Sequence, residues 1–316
     1  MPRPRFAPGA TVAFHLKPRP GPPRDAVGYA ATRMAAPAAW LAAFPREGRL
    51  RVDGQAVPPG GLIDLARALR LEVDIPDPWP PHLAAIPMPL SILHEDSQLL
   101  VLDKPAGVLV HPARGHMDEP TLLAGVRHRY RESLGAPGAT VGAAHRLDAG
   151  TSGVIVFARA TTAYRAVANQ FAAGTPHKEY LALTDGAPAE DHGEIRAPLG
   201  RDPGHPERMA VVAGHDGGKP AATEFHVLER GSDWAWLRIC PKTGRLHQIR
   251  VHLAHRGWPV MGDAVYNPRP PRSGLERMAL HAAALRIHHP IDGLPRRWEA
   301  PWPEALERAR QAVRLE

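Results

Sequence analysis

The sequence predicts an α+β fold: a mixed, largely antiparallel sheet with flanking helices, preceded by a small N-terminal extension. Three observations carry that expectation. The segments EYLALTD, ATEFHVLE and AWLRIC alternate apolar and polar residues at period two, as half-buried antiparallel strands do. Helical patterns interleave with them without a regular strand–helix–strand beat. No segment repeats another along the chain.

Taken in order, the elements read as follows. Residues 1–24 hold seven prolines and five basic side chains with no acid, so residues 1–33 read as a flexible or extended basic arm. Ala35–Phe44 is the longest apolar run and suits a short helix. In GRLRVDGQAV, Asp53-Gly54 sits between two short alternating runs, the strongest local hairpin signal. The proline-rich residues 76–90 break helix and strand alike and read as a linker. SILHEDSQLLVLD reads as strand, tight turn at Glu95–Ser97, strand. Asp118 is expected to cap a helix running to Leu134, with Leu122, Leu123 and Val126 on one face. VIVFARA is a buried-strand candidate, and TTAYRAVANQFAAG a helix that opens on a Thr cap and stops at Gly174. RLHQIRVHLAHRG is helical in period with Gly257 as its stop, and residues 301–316 read as a C-terminal helix.

Composition narrows the function. With 44% hydrophobic and 22% charged residues in 316, the chain suits one large soluble domain or two ordinary ones. A lone cysteine, Cys240, excludes an intramolecular disulfide and a cysteine-based zinc cluster. The apolar run of ten residues falls far short of the roughly 20 that a bilayer span needs, and MPRPRFAPGA lacks the apolar core of a signal peptide. No membrane association and a cytoplasmic location are expected. The net charge of +7 favours a polyanionic partner, and its distribution strengthens the point. Residues 241–272 hold Lys242, Arg245, Arg250, Arg256, Arg269 and Arg272 against Asp263 alone, which suits a phosphate-binding surface.

The motifs of phosphate loops, dinucleotide folds, zinc proteases and hydrolase elbows are absent. The histidines invite a metal-dependent hydrolase as a competing class. On a helix, however, His247 and His252 point about 140° apart. His252 and His255 share a face without a third ligand, so no metal is expected and RNA-facing or core histidines are preferred. The informative segment is AAHRLDAGTSGVIVFA. Glycines and hydroxyls around Asp148 let the backbone turn sharply and hold a carboxylate at the lip of a sheet. The residues alone favour the plainer reading, an ordinary Asx or Ser/Thr turn entering a strand.

HRLDAGTSG (145–153) closely resembles the active-site motif of the RluA/RluD-type pseudouridine synthases, which isomerise uridine in structured RNA. Further blocks follow in that family's order. LLVLDKPAGVLVHP (99–112) resembles the strand and loop before the motif. HKEYLAL (177–183) resembles the block with an active-site tyrosine, KTGRLHQIRVHLAHRGWPVMGDAVY (242–266) the block with an active-site arginine, and MALHAAALRIHHP (278–290) the closing strand. The resemblance implies a catalytic domain of the pseudouridine synthase type over residues 91–300. REGRLRVDGQAVPPGG (46–61) looks like the second half of an S4 RNA-binding module, so residues 34–75 are either a degenerate S4-like module or a shorter unrelated extension.

What the resemblance implies about roles is specific. Asp148 would be the carboxylate that acts at C1′ or C2′ of uridine while the N1–C1′ bond breaks and a C5–C1′ bond forms. Arg250 would pair with it, because a carboxylate in a dry base pocket stays charged only beside a cation. Tyr180 would stack on the flipped base and help remove the C5 proton. Arg146, Lys242, Arg245 and His247 would contact RNA, Arg146 at the backbone or in the space left by the flipped base, and Lys104 would support its loop or bind RNA phosphate. The isomerisation needs no cofactor, and the protein is expected to be a monomer. Ribosomal RNA ranks ahead of transfer RNA as substrate. A transfer-RNA-directed synthase and a non-catalytic RNA-binding or ribosome-assembly protein on the same scaffold are the alternatives.

Overall fold

A computed structural model describes residues 11–19, 21–34, 44–74, 86–112, 119–130, 139–205, 208–272 and 274–315. The chain divides into two compact units, one of residues 1–87 and 111–139 and the other of residues 88–110 and 140–316. The segment 111–139 thus groups with the first unit, although the sequence put it inside the 91–300 domain.

In the first unit, β1 (Thr11–Leu16), β6 (Leu69–Asp74), β3 (Leu50–Val52) and β4 (Gln55–Ala56) form a sheet in the order β1-β6-β3-β4. β2 (Arg24–Asp25) pairs with β5 (Leu62–Ile63), and helix α1 spans Ala26–Met34. Asp25 opens that helix by accepting the backbone N–H of Gly28, as N-cap carboxylates do. Residues 11–16 and 24–34 therefore form regular elements, which corrects the reading of 1–33 as an arm over those residues; residues 1–10 lie outside the described ones. The cause is visible in the chain: TVAFHL alternates, and Val12 and Leu16 go into a core with Ala26, Ala30, Leu71 and Val73. Four of the seven prolines that suggested an arm fall in the sequence between β1 and β2, and the other three precede β1. The Asp53–Gly54 turn has the two positive φ values, 50° and 80°, that a two-residue hairpin needs. Helix α2 (Leu122–Arg129) is capped by Thr121, whose hydroxyl accepts from Ala124 N–H, and not by Asp118, which lies outside the described residues. Most of the Ala35–Phe44 run and of the 76–90 linker also lies outside them.

The second unit holds β7 (Ser91–Glu95), β8 (Leu99–Lys104), β9 (Ala139–Ala143), β10 (Ser152–Ala160), β11 (His177–Asp185), β12 (His192–Arg196), β13 (Leu199–Arg201), β14 (Met209–Val211), β15 (Ala222–Arg230), β16 (Trp234–Pro241), β17 (Leu280–His288) and β18 (Pro295–Glu299). Among the described residues, ten of these strands make one sheet with the path β12-β15-β16-β11-β17-β10-β8-β7, on which β9 adds to β10 and β18 to β17; β13 pairs with β14 apart from it. Its pairings of known register are antiparallel except β10 with β17, where Ser152 and Gly153 face His281 and Ala282. β10 is the apolar run VIVFA and is buried on both faces, as a central strand should be. At Gly153 (φ 111°) the two strands approach so closely that a Cβ would lie 2.2 Å from the Ala282 carbonyl oxygen. The β7–β8 turn is built by Asp96, whose carboxylate accepts the N–H groups of Gln98 and Leu99.

Three helices flank the sheet. Helix α3 (Thr161–Ala173) ends on left-handed Gly174, as the sequence suggests, but Thr161 is its first residue and not its cap, which is Ala160. Helix α4 (Gln248–His255) buries the side chains of its first six residues. Helix α5 (Glu304–Val313) lays Leu306, Ala309 and Val313 onto the core of Leu183, Leu237 and Ile239. No helix among the described residues is long and apolar enough to cross a membrane.

Candidate active site

The loop from β9 to β10, residues 144–151, is fastened on several sides. Leu147 is buried, and the Thr151 N–H donates to the Asp148 carbonyl to close a turn. His145 accepts the N–H of Val156 through Nε2 and stacks on Phe171 at 4.4 Å, so its ring anchors the loop to β10 and α3. Ser152 Oγ accepts from Arg277 Nη2 at 2.7 Å and lies 2.8 Å from His281 Nδ1. The result is an aspartate fixed at its backbone, with its side chain 18% exposed.

Lys104, at the end of β8, is fully buried. Its ammonium donates to the carbonyl oxygens of Pro105 (2.8 Å), Val108 (2.6 Å) and Ala149 (3.0 Å). Those three bonds use all its donors. Burial and the nearby Arg277 charge push it down to about 7, against the pull of Asp148. Of the two roles expected for Lys104, contact with RNA phosphate is corrected, since its donors are all used inside the fold: it ties the Pro105–Val108 loop to the residue after Asp148.

Opposite Asp148 stands Arg250 of α4. Its Nε and Nη2 form a two-pronged pair with Asp263 at 2.7 and 2.8 Å, and its Nη1 reaches Asp148 Oδ2 at 3.1 Å. Planar guanidinium can address two carboxylates in this way. Asp263 is held in turn by the N–H groups of Val265 (2.9 Å) and Tyr266 (3.2 Å). Burial works to raise its carboxyl, but Arg250 and these amides outweigh it and keep it below the ordinary carboxylate value. Burial likewise opposes the Arg250 charge, and the two aspartates overcome it, so the guanidinium binds its proton more tightly than usual. Helix α4 is positioned by Gln248, which donates to Ala222 O and Thr223 Oγ1 and accepts from Thr243 Oγ1 and Arg245 N. His252 lies 2.8 Å from Thr223 Oγ1 and 2.9 Å from the Ala197 carbonyl through its two ring nitrogens, which makes it a core histidine.

Asp148, Tyr180, Arg250, Arg146, Lys178 and His247 share the lining of a cavity of about 660 Å³, a size that ligand pockets commonly have. Among the described residues that line it there are five Arg or Lys side chains and one carboxylate, Asp148. Tyr180 enters from β11 at a bulge, where the register with β17 shifts between Glu179 and Tyr180. Burial, and then the Asp148 charge, raise its phenol above the ordinary value, so the hydroxyl keeps its proton at neutral pH. Lys178, two residues earlier, donates to Thr243 O at 2.9 Å, and burial lowers it to about 8. Lys242 and Arg245 are exposed at the rim, the first paired with Glu224 at 2.6 Å. Arg146 is exposed beside Asp148.

Comparison with known proteins decides the family. Residues 98–255 match the family described as RNA pseudouridylate synthase. The chain is 37% identical over 278 residues to ribosomal large subunit pseudouridine synthase D of Pseudomonas aeruginosa, with 84% of this chain and 83% of that one covered. It is 42% identical over 261 residues to an uncharacterised RNA pseudouridine synthase of Chloroflexus aurantiacus, with 83% and 78% covered. The chain belongs to the RNA pseudouridylate synthase family. Among solved structures, human RNA pseudouridylate synthase domain containing 1 aligns with a TM-score of 0.55 and 27% identity over 72% of this chain and 96% of that one.

In this pseudouridine synthase the sequence missed two residues of the cavity's machinery. Asp263 was visible as the single acid of the basic 241–272 stretch, and Lys178 as the cation two residues before Tyr180. Arg250→Lys in the synthase is expected to lower turnover about a hundredfold with a smaller change in RNA affinity. One ammonium cannot span Asp263 and Asp148 together. Single-turnover kinetics beside a binding titration measure the two effects; a fall in affinity alone would make Arg250 a docking residue.

Proposed function

We propose that this synthase uses Asp148 as the reacting carboxylate on a uridine of structured RNA, and that the RNA is ribosomal RNA of the large subunit. The observation that carries the reading is a cavity in which, among the described residues, Asp148 is the single carboxylate and the Arg and Lys side chains number five. A nucleic-acid substrate brings its own phosphates to such a lining, and the one fixed anion is left for the sugar. Arg250 Nη1, 3.1 Å from Asp148 Oδ2, pairs with the carboxylate and fixes its direction. Asp148 then adds to C1′ or takes the C2′ proton as the N1–C1′ bond breaks; the freed uracil turns and C5 bonds to C1′ as the carboxylate leaves that carbon or returns the proton to C2′, and the C5 proton is lost while N1 gains one. Tyr180 supplies a ring face for the flipped base and a protonated hydroxyl near C5. Arg146, exposed beside Asp148, fits the space that the flipped base leaves, and Lys242 and Arg245 fit backbone phosphates at the rim. The ribosomal choice and a cytoplasmic location rest on the similarity to a synthase named for the large ribosomal subunit. Pseudouridine mapping of total RNA from wild-type and deletion cells tests it: sites lost from large-subunit RNA support it, and sites lost only from transfer RNA overturn the choice of substrate.

Binding should weaken steeply with salt, with a slope of log K against log salt of about −0.7 to −0.9 per neutralised phosphate. Arg245→Ala should flatten that slope by roughly one unit. A slope unchanged by Arg245→Ala would remove this side chain from the RNA interface.

A further inference from the structure

We infer that His247 is a positioning residue for Asp148, held by Tyr266 in the tautomer that turns its Nε2–H toward the carboxylate. The inference rests on Asp148 being the reacting group. It assigns His247 a different task from contact with RNA phosphate.

Three observations lead there. First, the backbone of His247 is left-handed, φ 55° and ψ 18°, at the residue that starts α4. Among the described non-glycine residues only Asp53 shares a positive φ, and Asp53 sits in a two-residue hairpin turn that demands it. His247 holds the third position of the turn that Gln248 N–H closes on the Arg245 carbonyl at 3.2 Å, a place that Gly or Asn more often fills, and with no side-chain capping bond its ring goes to the contacts that follow. Second, the tautomer follows from donors and acceptors. Tyr266 Oη accepts the backbone N–H of Met209 at 3.0 Å, and among the described hydrogen bonds His247 Nδ1, at 2.8 Å, is the acceptor in reach of the phenolic proton. A neutral imidazole that accepts at Nδ1 carries its hydrogen on Nε2. Third, Nε2 lies 4.0 Å from Asp148 Oδ2, the oxygen that Arg250 Nη1 also addresses. Tyr266 braces both groups: its ring is edge-on to the imidazole at 5.6 Å and lies under the Arg250 guanidinium at 4.9 Å.

At 4.0 Å the contact is outside hydrogen-bond range, so the N–H orients the carboxylate without binding it. No described residue hydrogen-bonds Oδ1, which leaves that oxygen to the substrate. A protonated imidazole would pull harder on Asp148 and blunt its reaction. The groups facing the imidazole are Asp148 and Asp263, which favour its protonation, and Arg250 and Arg146, which oppose it. Burial outweighs them and holds it below the ordinary histidine value, so it is neutral at physiological pH.

Two substitutions separate this role from a phosphate contact. His247→Asn keeps an acceptor for Tyr266 and suits the left-handed backbone, but cannot reach Asp148. His247→Gln places an amide N–H where Nε2 stands and does not titrate. With tritium release from C5-labelled uridine RNA as the assay, H247N should lower kcat about tenfold with KM little changed. H247Q should recover most of that loss. The kcat of wild type relative to H247Q should fall as the pH drops from about 8 to about 5, because only the wild type gains an imidazolium. If H247N melts early, Tyr266→Phe tests the same tautomer and should also lower kcat with KM held. H247N turnover within twofold of wild type, or equal rises in KM for both variants with kcat intact, would overturn the inference. Asp148→Asn belongs in the same series: an active D148N overturns the reading of Asp148 and the role of His247 with it. An inactive D148N beside a wild-type-like H247N overturns the role of His247 alone.

Discussion

Asp148→Asn is expected to abolish pseudouridine formation, by at least about a thousandfold, while the protein folds and binds RNA nearly as the wild type does. The amide has the size of the carboxylate and can still accept from Arg250 Nη1, now 3.1 Å from Oδ2. What it lacks is the negative charge that a developing positive sugar carbon needs, so the loss falls on the transition state and not on the ground state. The loop will hold its shape because its fastening comes from Lys104, His145 and Ser152, none of which touches the Asp148 carboxylate. Tritium release from C5-labelled RNA reads turnover directly, and filter binding reads affinity. Turnover within tenfold of wild type would remove Asp148 from the chemistry.

Asp263→Ala should damage both stability and turnover. It strips the buried Arg250 of its two-pronged partner and leaves one aspartate, Asp148, to balance the guanidinium. Breaking a buried pair by deleting one side costs on the order of 3–5 kcal/mol, since the remaining charge stays desolvated. Arg250 is then drawn onto Asp148 and occupies the carboxylate it now only steadies. The acid dependence of stability offers a second readout. The Asp263 carboxyl is depressed in the fold, so its contribution is complete above the ordinary value of 3.8 and is lost as the pH falls through the lower folded value. Wild-type stability should sag in that acid range through this group, and D263A should lack that part of the sag. Denaturant melts at neutral and acid pH check both; a D263A protein as stable as wild type and fully active would show that Arg250 needs no partner beyond Asp148.

How much of this was legible beforehand depended on how local each cause was. The Asp53–Gly54 hairpin and the Gly174 stop are written in two or three adjacent residues, and the alternation of β11, β15 and β16 in single segments. The first strand was lost because counting prolines over residues 1–24 averaged an alternating hexapeptide with the loop after it. Lys104 sits in a Lys-Pro-x-Gly loop that looks made for phosphate; its burial depends on a carbonyl 45 residues away, which no local rule reaches. Asp148, Tyr180 and Arg250 were found through resemblance, and the fold does bring them to one cavity. Asp263 was missed because its tie to Arg250, 13 residues earlier, is made by a chain turn after α4 and not by a helical repeat. The left-handed backbone of His247 left no mark in the sequence at all.

The close approach at Gly153 gives the segment 145–153 a second kind of intolerance. A side chain there would meet the Ala282 backbone 2.2 Å away and force apart the parallel seam between β10 and β17. A survey of all substitutions scored by pseudouridine formation would rank Gly153 and Asp148 as equally indispensable. Scored by protein abundance, the two would part: changes at Gly153 deplete the molecule, and changes at Asp148 leave it plentiful and idle. One short motif therefore carries two messages, an assembly instruction and a chemical one, and only a measurement of how much protein survives can tell which is being read.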